Sequence, residues 1–403
     1  MKMSHGLPTT TATPSAAAAA GALITRVLRV ASSDISFPPV PAATGHPRLD
    51  ASPVIASADA KNALQEAARL LVAEDQVVAM PTETVYGLAG NARSTTAVSR
   101  IFAAKNRPSD NPLIVHVASL AMLRSFLPNR EIPALHAALI DRFWPGPLTL
   151  LFPVADNSTL SPLVTAGQPT VGVRLPDHPV ARALIATAGV PLAAPSANAS
   201  GRPSPTLAKH VSEDLDGRIP LIIDGGRCEG GLESTVLQLD PYPLVLRPGG
   251  VTLEALRLVP GLENVECHIG VVDPSVAPSA PGMKYRHYSP TAEVHLVISD
   301  GARTVDHVLE LLDQSPAETR IGWLQTRHYG PVESLPEKIQ QAIASARLVV
   351  LDSSADPCVH FFSGLRELDE ARVSTIVVQG LPEEGLGRAF MNRAKKAASL
   401  ILT

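Results

Sequence analysis

Lys105 and Arg107 are two cations set one residue apart, where a helix-like segment from Ser94 to Lys105 breaks before Pro108. They are close enough in the chain to face one anion together. Pro108 and Pro112 remove two backbone donors and stiffen the loop, which then runs into Leu113-Ile114-Val115 and ends on His116. Such a loop suits a phosphate or a carboxylate, although a helix C-terminus favours cations for its dipole alone. Similar residues recur further along. Pro81-Thr82-Glu83-Thr84 follows an apolar run, Pro195-Ser196-Ala197-Asn198 follows another, and Ser200 to Thr206 adds Ser204. Thr170 and Arg174 stand four apart in a strand-like segment, so both point to one face. Glu233-Ser234-Thr235 and Arg247-Pro248-Gly249-Gly250 complete the set.

Each of these has a structural explanation when taken singly. Thr82 and Ser196 suit turns or caps, Arg174 and Arg247 suit surface ion pairs, His116 suits a core, and the paired glycines suit tight turns. Together they place several cations and small hydroxyls at the strand ends of one domain, where α/β sheets hold ligands. That combination describes a polyanionic ligand held by charge-assisted bonds. The chain carries no Walker-type loop, no H-E-x-x-H and no G-x-S-x-G, and no Cys–His pairing stands out. Neither a covalent nucleophile nor a protein-built metal cage is therefore expected.

The elements that must carry these loops follow from periodicity. Apolar spacing predicts helices over 59–76, 95–104, 132–143, 180–188 and 207–215. Strands are expected at 76–80, 113–117, 148–154, 170–175, 191–194, 221–224, 234–239 and 244–247. Some strands succeed one another without a helix, which implies a mixed sheet, not a simple parallel one. Residues 56–255 read as one α/β domain and 256–292 as a Pro- and Gly-rich linker. The linker's end, Lys284-Tyr285-Arg286-His287-Tyr288, is too rich in cations and aromatics for a plain spacer. From 293 to 403 strands and helices alternate, predicting a smaller Rossmann-like parallel sheet. Gly385-Leu386-Gly387-Arg388 lacks a full dinucleotide fingerprint, so no nucleotide site is read there.

At 403 residues with 45% hydrophobic content, two or three domains with a sizeable core are expected. The net charge of −4 argues against a bulk electrostatic grip on nucleic acid while leaving room for a local basic cleft. Cys228, Cys267 and Cys358 lie far apart and show neither metal spacing nor a disulfide framework, which fits a reducing compartment. No apolar run reaches the length of a membrane span, so a soluble protein without membrane association is expected. The first 33 residues contain Lys2, Arg26 and Arg29 but no acid, and are rich in Ser, Thr and Ala. That bias suits a mitochondrial transit segment or a low-complexity extension of a cytoplasmic protein. Residues 1–55 are accordingly expected to be a disordered extension outside the fold.

The ordered series PTETVYGL, KNRPSDNPLIVH, FWPGPLTL, TVGVRLPDHP, PSANASGRPSPT, IDGG, GLESTV and LRPGG resembles the YrdC-like threonylcarbamoyl-AMP synthases. APGMKYRHYSP and MNRAKKAAS resemble the long, two-domain form, and the resemblance runs from about residue 58 to the C-terminus. One departure is Ala89-Gly90, where the family more often places glycine first; it bears on loop detail. The resemblance implies a YrdC-like mixed twisted sheet joined by a structured linker to the Rossmann-like domain. It implies condensation of L-threonine, bicarbonate and ATP, assisted by Mg2+, into threonylcarbamoyl-AMP and pyrophosphate. The product would pass to the tRNA threonylcarbamoyl transferase machinery, with at most weak direct contact to tRNA. By match to the family motifs, Thr82, His116, Arg174 and Ser234 would surround threonine. Lys105, Ser109, Thr170, Ser196, Ser204, Arg247 and Tyr285 would line the ATP site, with Lys105 and Arg107 stabilising charge and 281–290 acting as a lid. The competing readings are an RNA-binding module of the same fold and a related carbamoyl-transfer enzyme. The second usually carries acylphosphatase and zinc-finger segments, and neither occurs here.

Overall fold

The computed structural model describes residues 23–43, 45–155, 158–268, 287–299 and 301–403. Its first strand, β1 (Arg26–Arg29), lies at the edge of the larger sheet. A short antiparallel pair, β2 (Ile35–Ser36) and β3 (Val54–Ile55), follows. The larger sheet continues through β4 (Val78–Met80), β5 (Gly87–Asn91), β6 (Val115–His116) and β7 (Leu148–Pro153). Next come β8 (Thr170–Arg174), β9 (Leu192–Ala193), β10 (Leu221–Asp224), β11 (Thr235–Gln238), β12 (Leu244–Arg247) and β13 (Glu266–Cys267). The order is β1-β10-β4-β5-β9-β6-β8-β7-β11-β12-β13, with parallel and antiparallel ladders interleaved. The mixed sheet read from the sequence is therefore present.

Helices cover the sheet because their apolar residues fall on one stripe. Ala58–Ala73 starts at a Ser57 cap that accepts from the Ala60 N–H. It buries Ala60, Ala63, Leu64, Ala67, Leu70 and Leu71 in one core with Val180 and Leu184 of the helix Pro179–Ala188. A second core holds Val98, Ile101 and Phe102 of the helix Thr95–Lys105 against Leu88, Val115 and Val173. That helix ends at Asn106, which takes the left-handed conformation (φ 52) that Asn tolerates well. Pro108 comes two residues later and bars continuation.

The second domain is an all-parallel sheet of β14 (Glu293–Val297), β15 (Ile321–Gln325), β16 (Leu348–Asp352), β17 (Thr375–Gln379) and β18 (Leu400–Leu402). Its order is β16-β15-β17-β14-β18, and apolar cores lie under the helices Gly301–Gln314, Glu337–Ala344, Pro357–Glu370 and Gly387–Ala397. The core containing Phe361, Phe362 and Phe390 also takes in Val85 and Leu232 of the first domain. At that contact Gly231 has no substitute, since a Cβ would lie 2.3 Å from the Val359 Cα.

Two boundaries differ from the expectation. Residues 1–55 do not stay outside the fold, at least over the described part: Arg26–Arg29 pairs in parallel with Leu221–Asp224, and Val30, Ile35 and Leu49 are buried. A four-residue edge strand, Arg-Val-Leu-Arg, beside proline-rich sequence offers little pattern to detect. The linker also begins later than 256. The helix Leu253–Arg257 and β13 belong to the first domain, and Leu256, Val259, Leu262 and Val265 are buried in its core. Lys284, Tyr285 and Arg286, with most of the expected lid, lie outside the described residues.

Candidate active site

The strand-end loops of the first domain converge on one cleft with an empty volume of ≈ 770 Å3. Thr82, Lys105, Arg107, His116, Arg174, Ser196, Ser234 and Arg247 all line it, so eight residues spread over 166 positions of sequence meet at one place. The topology explains this. The cleft lies where β4, β6, β8, β9 and β12 end or turn, and the helix Thr95–Lys105 delivers its last residue there.

One half of the cleft is built from short hydroxyls around an arginine. Thr82 folds its hydroxyl back to donate to the Val85 carbonyl at 2.6 Å, and it lies 2.9 Å from the Thr84 hydroxyl. Arg174 donates through Nη1 to Thr84 Oγ1 (3.0 Å) and through Nε to the Gly146 carbonyl (3.1 Å). Its Nη2 forms an ion pair with Glu83. A guanidinium has five N–H groups, so two remain for a ligand carboxylate. His116 pairs its backbone with Arg174 across β6 and β8, and its ring is buried. Burial, with the Arg174 charge beside it, pushes the imidazole down to about 3, so it is neutral at physiological pH. Its Nδ1 has no partner among the described residues.

The other half is cationic. Lys105 is not the solvated lysine that a helix C-terminus suggests: it is 1% exposed. Its ammonium donates to the Ser196 carbonyl at 2.5 Å and to the Asn198 carbonyl, with Asn198 Oδ1 at 3.5 Å. Burial pulls its pKa well below the usual lysine range, while these oxygens favour the ammonium. Lys105 thus ties down the 195–198 loop as well as facing the cleft. Ser196 donates in turn to Asn198 Oδ1 at 2.5 Å. Arg107 and Arg247 are both lowered to about 10, first by burial. Arg247 donates through Nη2 to the Ser234 carbonyl (2.9 Å) and hydroxyl (3.2 Å), which joins the two halves. Gly249 makes that approach feasible, because a Cβ there would sit 2.3 Å from the Ser234 carbonyl carbon.

Three residues of the expected nucleotide site do not line this cleft. Ser109 is exposed on the loop after the helix, and Thr170 opens β8 opposite Pro153. Ser204 is buried and donates to Glu233 Oε1 at 2.6 Å, because the 203–206 segment runs behind the cleft wall. Tyr285 lies outside the described residues. Its neighbours His287 and Tyr288 do reach the cleft, with Tyr288 buried against Phe362 at 5.1 Å between ring centroids. Sequence reasoning gave no role to Thr84, Glu233 or Arg393. Thr84 was detectable, since it shares one strand-end motif with Thr82. Arg393, 160 residues from Glu233 and joined to it by an ion pair at 2.9 Å, left no local signal.

Comparison with known proteins bears on both domains. A family model described as "Telomere recombination" matches residues 71–249, and one described as "Threonylcarbamoyl-AMP synthase, C-terminal domain" matches residues 251–399. The threonylcarbamoyl-AMP synthase of Schizosaccharomyces pombe is 43% identical, covering 94% of this chain and 98% of that protein. The protein of the same name from Bacillus subtilis is 45% identical over 82% of this chain and 92% of its own length. The crystal structure of Pyrococcus abyssi Sua5 complexed with L-threonine superposes with a TM-score of 0.73 at 40% identity, covering 84% of this chain and 95% of that one.

Proposed function

The chain belongs to the threonylcarbamoyl-AMP synthase family, and from that premise we propose how its own residues divide the reaction. It is a nucleotidyltransferase that condenses L-threonine, bicarbonate and ATP into threonylcarbamoyl-AMP and pyrophosphate. The observation that carries the assignment is the two-sided cleft: a hydroxyl-lined arginine at one end and three cations at the other, bridged by Ser234.

Threonine occupies the first side. Arg174 offers its two remaining N–H groups to the amino-acid carboxylate as a planar fork. Thr82, Ser234 and the neutral His116 face the threonine hydroxyl, and the imidazole Nδ1 accepts or donates according to tautomer. The amine forms a C–N bond to the bicarbonate carbon, one C–O bond of bicarbonate breaks and water leaves, giving the threonine carbamate. A carbamate oxygen then attacks the α-phosphorus of ATP, and the bond from that phosphorus to the pyrophosphate oxygen breaks. Arg107 and Arg247 meet the charge that grows on the leaving group, while Lys105 holds Ser196 in position. No protein nucleophile takes part; rate comes from holding two anions in line.

The residues present do not fit a protein-held magnesium ion. Glu83 and Glu233, the carboxylates next in sequence to Thr82 and Ser234, are each bound to an arginine, Arg174 and Arg393. Among the described residues no group of three or more acidic, His or Cys side chains is arranged for a metal. We assign any magnesium to the nucleotide that brings it, and no step is routed through it. The adenylate is a reactive mixed anhydride, so it would pass to a tRNA-modifying transferase. Among the described residues no helix is long and apolar enough to cross a membrane.

The test is an assay with ATP, bicarbonate and each amino acid in turn, reading pyrophosphate and the adenylate by mass spectrometry. Threonine should give the adenylate. Equal products with glycine or alanine would overturn the assignment of the hydroxyl pocket.

A further inference from the structure

Glu233 and Arg393 have no part in the chemistry above, yet they are buried beside it. Glu233 is 7% exposed in the cleft wall, immediately before Ser234. Its carboxylate accepts from Ser204 Oγ at 2.6 Å and from Arg393 Nε at 2.9 Å, and the Tyr288 phenol faces it. Arg393 comes from the helix Gly387–Ala397 of the second domain and is fully buried. Its Nη1 also donates to the Pro248 carbonyl, one residue after Arg247. A single guanidinium from the second domain therefore binds two loops of the first, 233–234 and 247–250. These loops carry Ser234 and Arg247, which the reaction needs at opposite halves of the cleft.

The charge arrangement makes this more than a docking contact. A buried carboxylate without a partner is strongly unfavourable and captures the next cation in reach. Arg247 is the next cation at hand: its guanidinium reaches the carbonyl and hydroxyl of Ser234, the residue after Glu233, and its charge helps Arg393 hold the Glu233 carboxyl low.

We propose that Arg393 is a positioning residue for adenylate formation: it occupies Glu233 so that this carboxylate does not compete with the phosphates of ATP for Arg247. This inference rests on reading the cleft as an ATP-dependent adenylate synthase. It gives the second domain a direct task in nucleotide binding, apart from carrying the linker.

The experiment uses the full chain, with KM and kcat for ATP and for threonine, and titration with a non-hydrolysable ATP analogue. Wild type must first make threonylcarbamoyl-AMP; if it makes none, the functional reading fails, and the variants judge Arg393 only when it does. Arg393→Ala should raise KM for ATP by about tenfold or more, with a smaller change for threonine, because an uncompensated buried charge persists. Arg393→Ala combined with Glu233→Gln should recover much of that loss, since the competing charge is gone. Arg393→Lys keeps a cation and should stay near wild type. If Arg393→Ala is insoluble, Glu233→Gln alone decides: with no carboxylate left to compete for Arg247, its KM for ATP should stay near wild type. A double variant no better than Arg393→Ala, or a Glu233→Gln variant whose own KM for ATP rises about tenfold, would show that the pair only docks the domains and would overturn the proposal.

Discussion

Replacing Lys105 by alanine should damage stability and activity together, and the structure sets the scale of both. The ammonium is 1% exposed and makes two close bonds, to the carbonyls of Ser196 and Asn198. Hydrogen bonds involving a charged group contribute about 1.5–3 kcal/mol each, and part of this offsets the cost of burying the ammonium. A net loss of about 2–4 kcal/mol follows, or roughly 5–10 °C in Tm for a domain of this size. A solvated lysine would cost almost nothing, since exposed charges contribute about 0–1 kcal/mol. The loop holding Ser196 would also lose its anchor, so kcat/KM for ATP should drop by about a hundredfold. Lys105→Met is the control: it fills most of the space but supplies no donor, and should share both defects. The assay is a thermal melt beside steady-state kinetics at saturating threonine and bicarbonate. A Lys105→Met protein with wild-type Tm and turnover would refute the reasoning.

Serine in place of threonine keeps the hydroxyl and should react about tenfold more slowly, while valine should fail by a larger factor, as competition kinetics would show. A valine rate above the serine rate would mean an apolar pocket. His116 titrates near 3 in the folded chain and near 6.5 when unfolded, so the unfolded chain binds more protons between those values. Its stabilising contribution is complete above about pH 6.5 and declines as pH falls towards about 3. His116→Gln should therefore shrink the Tm difference between pH 7 and pH 5, while His210, also held near 3 by burial, continues to contribute in both proteins. Truncation after His268 should keep every strand of the larger sheet, yet expose Val85 and Leu232 and strip Asp214 and Glu233 of Arg366 and Arg393. The shortened chain should melt earlier and bind ATP more weakly; wild-type activity in it would remove the second domain from the account.

Much of this architecture was legible because most elements carry their own pattern. The runs 221–224 and 244–247 are apolar and β-rich, and they form strands with those bounds. The helix over 95–105 follows its apolar stripe, and the alternation after 293 does become a parallel sheet. What escaped were elements whose stability is tertiary. Gly87–Asn91 is glycine- and alanine-rich, a poor strand by propensity, and is held between β4 and β9. Glu266–Cys267 and Arg26–Arg29 are short edge strands. In the site, motif order brought eight residues to one cleft, but not their environments. Nothing local marks Lys105 as buried, since helix-end lysines are usually solvated, whereas the Ser196 and Asn198 carbonyls that bind it come from 91 and 93 residues away. The Glu233–Arg393 pair joins two domains and is beyond any local rule.

The central claim is that this cleft joins threonine, bicarbonate and the adenylyl group of ATP in one product. Incubation of the full chain with 13C-labelled bicarbonate, L-threonine and ATP, followed by mass spectrometry, tests it most directly. The account predicts threonylcarbamoyl-AMP carrying the label, formed one-for-one with pyrophosphate and only when threonine is present. Pyrophosphate or ADP released without incorporation of the label, or at the same rate without threonine, would contradict it.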